Sequence, residues 1–169
     1  MVTAAGLAAA RAIAAAVPDP ELPMVTVADL GILRDVAAEG DRLVVTITPT
    51  YSGCPALREI AGDLRHRLAA SGYAEVDVRT ALAPAWSSDW ITAEGRRKLS
   101  AAGIAPPHAA PARPGPVPRT VTETRRQLVA CPRCGSADTI RTATFGATAC
   151  KALYRCESCR EPFEYVKEI

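Results

Sequence analysis

The sequence predicts an α+β fold: a small mixed sheet with helices packed on it, ordered α-β-β-α-β-α, followed by a small β unit tied by cysteines. Three observations carry this. Over the first 105 residues, stretches with a 3.6-residue apolar repeat alternate with stretches whose apolar residues recur at every second position. Residues 106–118, PPHAAPARPGPVP, include six prolines among thirteen residues. Five of the six cysteines fall in the last 39 residues. The chain therefore reads as a domain over 1–105, a semi-rigid linker over 106–119 and a second domain over 120–169.

Each element has its own reason. Residues 3–16 suit an alanine-rich helix, stopped by VPDPELP, whose prolines cannot continue it. GILRDVAAEGDRLVVTIT reads as a hairpin, with one strand over 31–38 and a turn at EGD, 39–41. Its second strand puts Leu43, Val45 and Ile47 on one face, and Val44, Thr46 and Thr48 on the other. A helix then runs from Pro55 to Ala70, its apolar stripe being Leu57, Ile60, Ala61, Leu64 and Leu68. Gly72 caps its C-terminus. AEVDVRTAL, 74–82, is the third strand, and WSSDW is a turn. A short helix follows over 93–102, with Thr92 as N-cap and Gly103 at its end.

Composition narrows the function. The 169 residues are 49% hydrophobic, but much of that share is alanine, so the core is poorer than the figure suggests. Net charge is +2, with ten basic against twelve acidic residues over 1–105 and eight against six from residue 123 onward. Such balance argues against nucleic acid or a membrane surface as partner. No cation precedes the N-terminal apolar run, and Arg11 interrupts it, which favours a helix over a signal peptide. No apolar run approaches the ~20 residues of a membrane span. The expected location is cytoplasmic, where cysteines serve as metal ligands or reactive thiols rather than disulfides.

The C-terminal cysteines carry the sharpest signal. Cys131-x₂-Cys134 and Cys156-x₂-Cys159 are two pairs separated by 21 residues. Two residues between cysteines form a knuckle that aims both sulfurs at one ion, and two knuckles complete a tetrahedron of thiolates. With DTIRTATFG and CKALYRC as a hairpin and EPFEYVKE as a closing strand, the segment reads as a zinc ribbon. A single iron or an iron–sulfur cluster is the competing occupant. Cys150, six positions before Cys156, is a buried filler or an extra ligand.

Cys54 stands apart, 77 positions before the next cysteine. It precedes Pro55, which fits the first helical turn, so Cys54 is expected at the N-cap, where free amides and the helix dipole favour a thiolate. That placement suits a nucleophile, a redox thiol or a labile metal ligand. A small apolar filler is the plain alternative. His66 lies inside the following helix, roughly 18 Å along its axis, and His108 lies in the linker, so a Cys–His dyad is not expected. Asp19 and Glu21, in DPELP, are either a solvated stop after the first helix or a loop facing Cys54. Trp86 and Trp90 are either core residues or anchors for a protein partner.

Taken together, DPELP, TVADLGILRDV and VTITPTYSGCPA resemble the SufT-like iron–sulfur assembly domain family. The longer set TPTYSGCPA, WSSDWITAEGRRKLSAAGIAPP, CPRCGS and FGATACKALYRC…CREPFEYVK resembles the D subunits of bacterial phenylacetyl-CoA (phenylacetate-CoA) oxygenases, or epoxidases. The resemblance implies a non-enzymatic accessory factor of aerobic phenylacetate degradation. Such a factor helps assemble or repair the di-iron or iron–sulfur centres of the oxygenase or reductase subunits, which are then its partners. It implies a functional thiol at Cys54, an acidic loop at Asp19 and Glu21, preceding threonines at Thr48 and Thr50, and ribbon ligands at Cys131, Cys134, Cys156 and Cys159. Cofactors implied are structural zinc and a transient iron or iron–sulfur cargo. The alternative is a structural component of the complex that acts only through protein contacts.

Overall fold

A computed structural model of the chain describes residues 3–51, 53–108 and 128–168. The expected linker beyond His108 lies outside the described residues, as does Ser52. The chain forms two compact units, one up to Lys98 and one from Leu99.

In the first unit, α1 spans Ala4–Ala15, and its N-cap Thr3 accepts the Gly6 amide at 3.1 Å. Strands β1, Leu33–Glu39, and β2, Arg42–Ile47, pair antiparallel. Helix α2, Ala56–Ala70, then crosses over to β3, Val76–Thr80, which lies parallel to β2. The sheet order β1-β2-β3 makes it mixed, as expected. Being central, β2 is buried on both sides: Leu43, Val44, Val45 and Ile47 are all in the core, as is Thr48 just beyond it. The alternation in the sequence had implied a more polar second face; a central strand covered on both faces loses that distinction. α2 ends in a paired turn in which Gly72 N–H donates to Ala69 O at 3.0 Å and Tyr73 N–H to Leu68 O at 3.1 Å.

The loop from 17 to 32 is more structured than its prolines suggested. A bridge between Pro18 and Thr26 closes it, and Thr26 and Asp29 cap each other's amides at 3.0 and 3.1 Å. Asp29 then receives Lys98 Nζ at 2.7 Å and, through its carbonyl, the Thr92 amide at 2.9 Å. Burial pushes the Asp29 carboxyl up, but the Lys98 ammonium and the Thr26 amide outweigh it, leaving it below the ordinary carboxylate value. The WSSDW turn contains a 3₁₀ turn at Ser88–Trp90 and leads into α3, Ala93–Ala101, whose N-cap Thr92 accepts the Gly95 amide at 2.9 Å. Gly31 fits beneath this turn with φ +68°, and a Cβ there would stand 2.6 Å from Trp90 Cβ.

The second unit is a four-stranded sheet ordered β4-β7-β6-β5. Strands β5, Thr139–Ala143, β6, Lys151–Cys156, and β7, Pro162–Val166, form the expected antiparallel meander. The two-residue strand β4, Ile104–Ala105, adds in parallel beside β7 and was not foreseen. Its core is small: Ala105, Val129, Ala152, the aromatic group Tyr154, Phe163 and Tyr165, and the two cysteines 131 and 156. Tyr154 stacks on Phe163 at 5.7 Å between centroids and meets Tyr165 edge-on at 5.5 Å.

Candidate functional site

The four ribbon cysteines converge as the spacing required. All four sulfurs lie within 4.8 Å of one another. Thiolates about 2.3 Å from one tetrahedral ion stand about 3.8 Å apart; Cys131 and Cys159 are 3.8 Å apart, and Cys134 and Cys156 are 3.6 Å apart. The set fits a single tetrahedral ion. A polynuclear cluster hangs its thiolates from different irons and holds them wider apart.

The two knuckles share one backbone bond and one left-handed position. The Cys131 amide donates to Ser136 O at 2.9 Å, and the Cys156 amide donates to Glu161 O at 3.0 Å. The residue after the second cysteine of each pair is left-handed: Gly135 at φ +74° and Arg160 at φ +65°. Ser136 and Ser158 hydroxyls join the two at 2.8 Å. The Cys159 amide donates to Cys156 Sγ at 3.5 Å and holds that thiol down to about 7. Inner sulfurs Cys131 and Cys156 are buried; Cys134 and Cys159 are exposed. Cys150, half-buried with its sulfur 3.1 Å from Thr148 Oγ1, is outside the four-sulfur group.

Cys54 occupies a different setting. Pro55, with φ −67° and ψ −29°, is the N-cap of α2, so the expectation that Cys54 holds that position is corrected by one residue. Proline is already helical there, and the turn begins at Cys54, whose carbonyl accepts the Leu57 amide at 3.4 Å. Among the described residues, no side chain caps this helix end. Cys54 is half-buried and stands at one end of an open groove of about 720 Å³. Leu57, Arg58, Ala61 and Arg65 of α2 form one wall, and Val78 and Thr80 of β3 the other. Leu57 and Ala61 belong to the apolar stripe read from the sequence, but the core takes Ala56, Ile60, Leu64 and Leu68, leaving these two at its margin.

Among the described residues lining the groove are neither Asp19, Glu21, Thr48 nor Thr50. Asp19 is buried, not solvated, and its Oδ1 accepts the amides of Glu21 and Leu22 at 2.9 and 2.8 Å, which folds the loop around it. Thr48 is buried, and its hydroxyl has no hydrogen-bond partner among the described residues. Thr50 is half-buried. Trp86 is a core residue whose Nε1 donates to Leu30 O at 2.9 Å, so it presents nothing to a partner. Trp90 is half-buried beneath the Arg34 guanidinium, 3.7 Å from its ring centroid.

Comparison with known proteins gives these two sites a context. The chain is 45% identical, over 90% of its length, to an Escherichia coli (strain K12) protein named as the D subunit of 1,2-phenylacetyl-CoA epoxidase, and covers 87% of it. The chain belongs to the family of phenylacetyl-CoA epoxidase D subunits. Within that family framework, residues 7–82 match the model of an iron–sulfur cluster assembly protein, and residues 115–167 match that of the PaaD zinc beta ribbon domain. Among solved structures, a domain of unknown function, DUF59, from Bacillus anthracis matches at 31% identity with a TM-score of 0.50, over 55% of this chain and 90% of that one. A Mycobacterium tuberculosis protein associated with [Fe-S] complex assembly and repair is 34% identical over 56% of this chain and 84% of that one, with a TM-score of 0.33. Arg58 and Arg65, which line the groove, were not singled out from the sequence. Their signal was there: two arginines seven apart, flanking the margin of the α2 stripe. Asp29 was also passed over, although T-x-x-D at 26–29 is a capping pattern.

Proposed function

We propose that the protein is an accessory factor that assembles or repairs a metal centre of the phenylacetyl-CoA epoxidase system, with its two thiol sites divided between structure and cargo. One observation carries this: four sulfurs are gathered within 4.8 Å in the ribbon, while Cys54 alone opens on a groove in the other unit. Zinc held by Cys131, Cys134, Cys156 and Cys159 supplies a permanent cross-link and no redox chemistry. A closed four-thiolate site is poorly suited to releasing its ion. Cys54 offers one sulfur ligand at a helix start, so iron or a small iron–sulfur cluster bound there is displaced readily by a client's own ligands. In this reading Thr48 and Thr50 act by shaping the segment between β2 and Cys54, and Asp19 and Glu21 by shaping the loop of residues 17–32.

The E. coli relative's name ties that protein to the epoxidase, and the assembly-family match over residues 7–82 supports a maturation role over a purely structural one. The oxygenase and reductase subunits are then the clients. The burial of Trp86 removes one anchor on which the purely structural reading relied.

Purification without oxygen, followed by zinc, iron and acid-labile sulfide analysis of wild type and Cys54→Ser, tests the division. The expected result is one zinc in both, with iron and sulfide only in wild type. Iron and sulfide that persist without Cys54, in a protein lacking zinc, would place the cluster in the ribbon and end this reading. In cells, unimpaired epoxidase maturation by Cys54→Ser would do the same.

A further inference from the structure

We infer that the groove between α2 and β3 docks an extended, acidic segment of a protein partner, which lies along the free edge of β3. Three observations point to this occupant. First, β3 is the edge of its sheet: among the described residues it pairs with β2 alone, so its outer N–H and C=O groups are open to a further strand. Second, the groove is cationic. Arg58 and Arg65 are exposed, and neither has a carboxylate partner among the described residues; Arg65 reaches only the Ala61 carbonyl of its own helix, at 3.4 Å. No described residue lining the groove carries a carboxylate. Third, the edge does not offset that charge. Arg79, on the opposite face of β3, is already tied to Asp77 at 2.9 Å and to Glu39 at 2.8 Å.

The dimensions suit a short segment. From Leu57 to Arg65 the wall is about 12 Å long, at 1.5 Å per residue, which an extended chain covers in roughly four residues. Arg58 and Arg65 stand about 10 Å apart along the axis, and their long side chains bridge that span to carboxylates on alternate residues. Leu57, Ala61 and Val78 give an apolar floor for the aliphatic stems of those carboxylate side chains, which share one face of the docked strand. A docked segment would end beside Cys54, so the surface determines which partner reaches the thiol. The inference rests on the proposed function only in taking the partner to be a protein; it does not require that Cys54 carry metal.

The test uses the full zinc-loaded chain and a fluorescein-labelled nine-residue peptide of alternating glutamate and valine, read by anisotropy. A lysine–valine peptide is the control. Saturable binding of the glutamate peptide alone is expected, weakening with salt and about tenfold or more in Arg58→Glu/Arg65→Glu. Binding is measured with no iron or sulfide loaded, so a failure of the cargo reading leaves this result standing. Equal binding of both peptides, or no change in the double variant, overturns the proposal. So does undiminished binding of a glutamate peptide N-methylated at alternate residues, since strand addition needs those donors. Arg58→Gln/Arg65→Gln repeats the test without reversing charge. A dimer in sedimentation that separates in the double variant would make the occupant a second copy and overturn the acidic partner.

Discussion

The two units solve the problem of stability in opposite ways. The first has a core of its own: β2 is buried on both faces, α2 contributes Ile60, Leu64 and Leu68, and no cysteine belongs to that core. The second has a core of a few aromatic and small residues in which Cys131 and Cys156 take part. A sheet that small does not hold itself together from apolar burial alone, and on the proposed reading an ion held by the four sulfurs supplies what is missing. On that reading the four ribbon thiols have a structural duty, whereas Cys54 in the first unit has none. Cys54 is half-buried and outside the core of the first unit, which on the same reading leaves its sulfur available for chemistry.

The largest expected effect strikes the ribbon alone. Cys156→Ser removes a buried ligand, and structural zinc contributes on the order of 10 kcal/mol to such sites. The second unit should unfold and lose its zinc, while the thermal transition of the first unit persists. Loss of both transitions together would show that the units do not fold separately. The mirror experiment is Gly31→Ala. Its left-handed backbone costs about 1 kcal/mol for alanine, and the clash with Trp90 adds about 1–3 kcal/mol. The first unit should lose about 2–4 kcal/mol with zinc stoichiometry unchanged; a fall in zinc would break the comparison.

How much of this was legible in the sequence follows the range of the interactions. Helices, hairpin, third strand and the four-sulfur site came from periodicity, capping residues and spacing, all of which act over a few positions. Long-range placement was not legible. Asp19 looked like a solvated stop because nothing local says that its carboxylate is buried under its own loop. Trp86 sits in a polar turn, and only the Leu30 carbonyl, 56 residues away, explains its burial. The groove beside Cys54 needed the α2 crossover to set Arg58 and Arg65 opposite β3. Likewise Cys54 and Pro55 differed from expectation by a single residue, the scale on which helix starts are decided.

A smaller effect separates the units by pH. The folded Asp29 carboxyl lies below its ordinary value, so its contribution is fully present above the unfolded value of about 4. It is lost as pH falls through the lower folded value. Asp29→Asn should cost the first unit about 1–3 kcal/mol at neutral pH and flatten the acid limb of its stability curve. The ribbon's transition should be untouched by this variant at neutral pH. An acid limb as steep in Asp29→Asn as in wild type would assign that limb to other carboxylates.

The smallest effect sharpens the comparison inside the ribbon itself. Its two knuckles share the bond from the first cysteine's amide to the carbonyl five residues on, yet one places glycine at the left-handed position and the other arginine. A non-glycine residue there carries about 1 kcal/mol of backbone strain. Arg160 gets little back, because its bond to Glu157 is a surface ion pair with the arginine side chain 71% exposed. Added flexibility of the unfolded chain offsets part of the relief, so Arg160→Gly should stabilise the zinc-loaded second unit by about 0.5 kcal/mol. Gly135→Ala, which meets no atom within 4 Å, should destabilise it by about 1 kcal/mol through backbone strain alone. Denaturant midpoints of the second unit's transition measure both. Should Arg160→Gly prove as damaging as Gly135→Ala, the knuckles are equivalent in backbone only, and the guanidinium steadies the Cys156–Cys159 side by more than its pairing with Glu157 suggests.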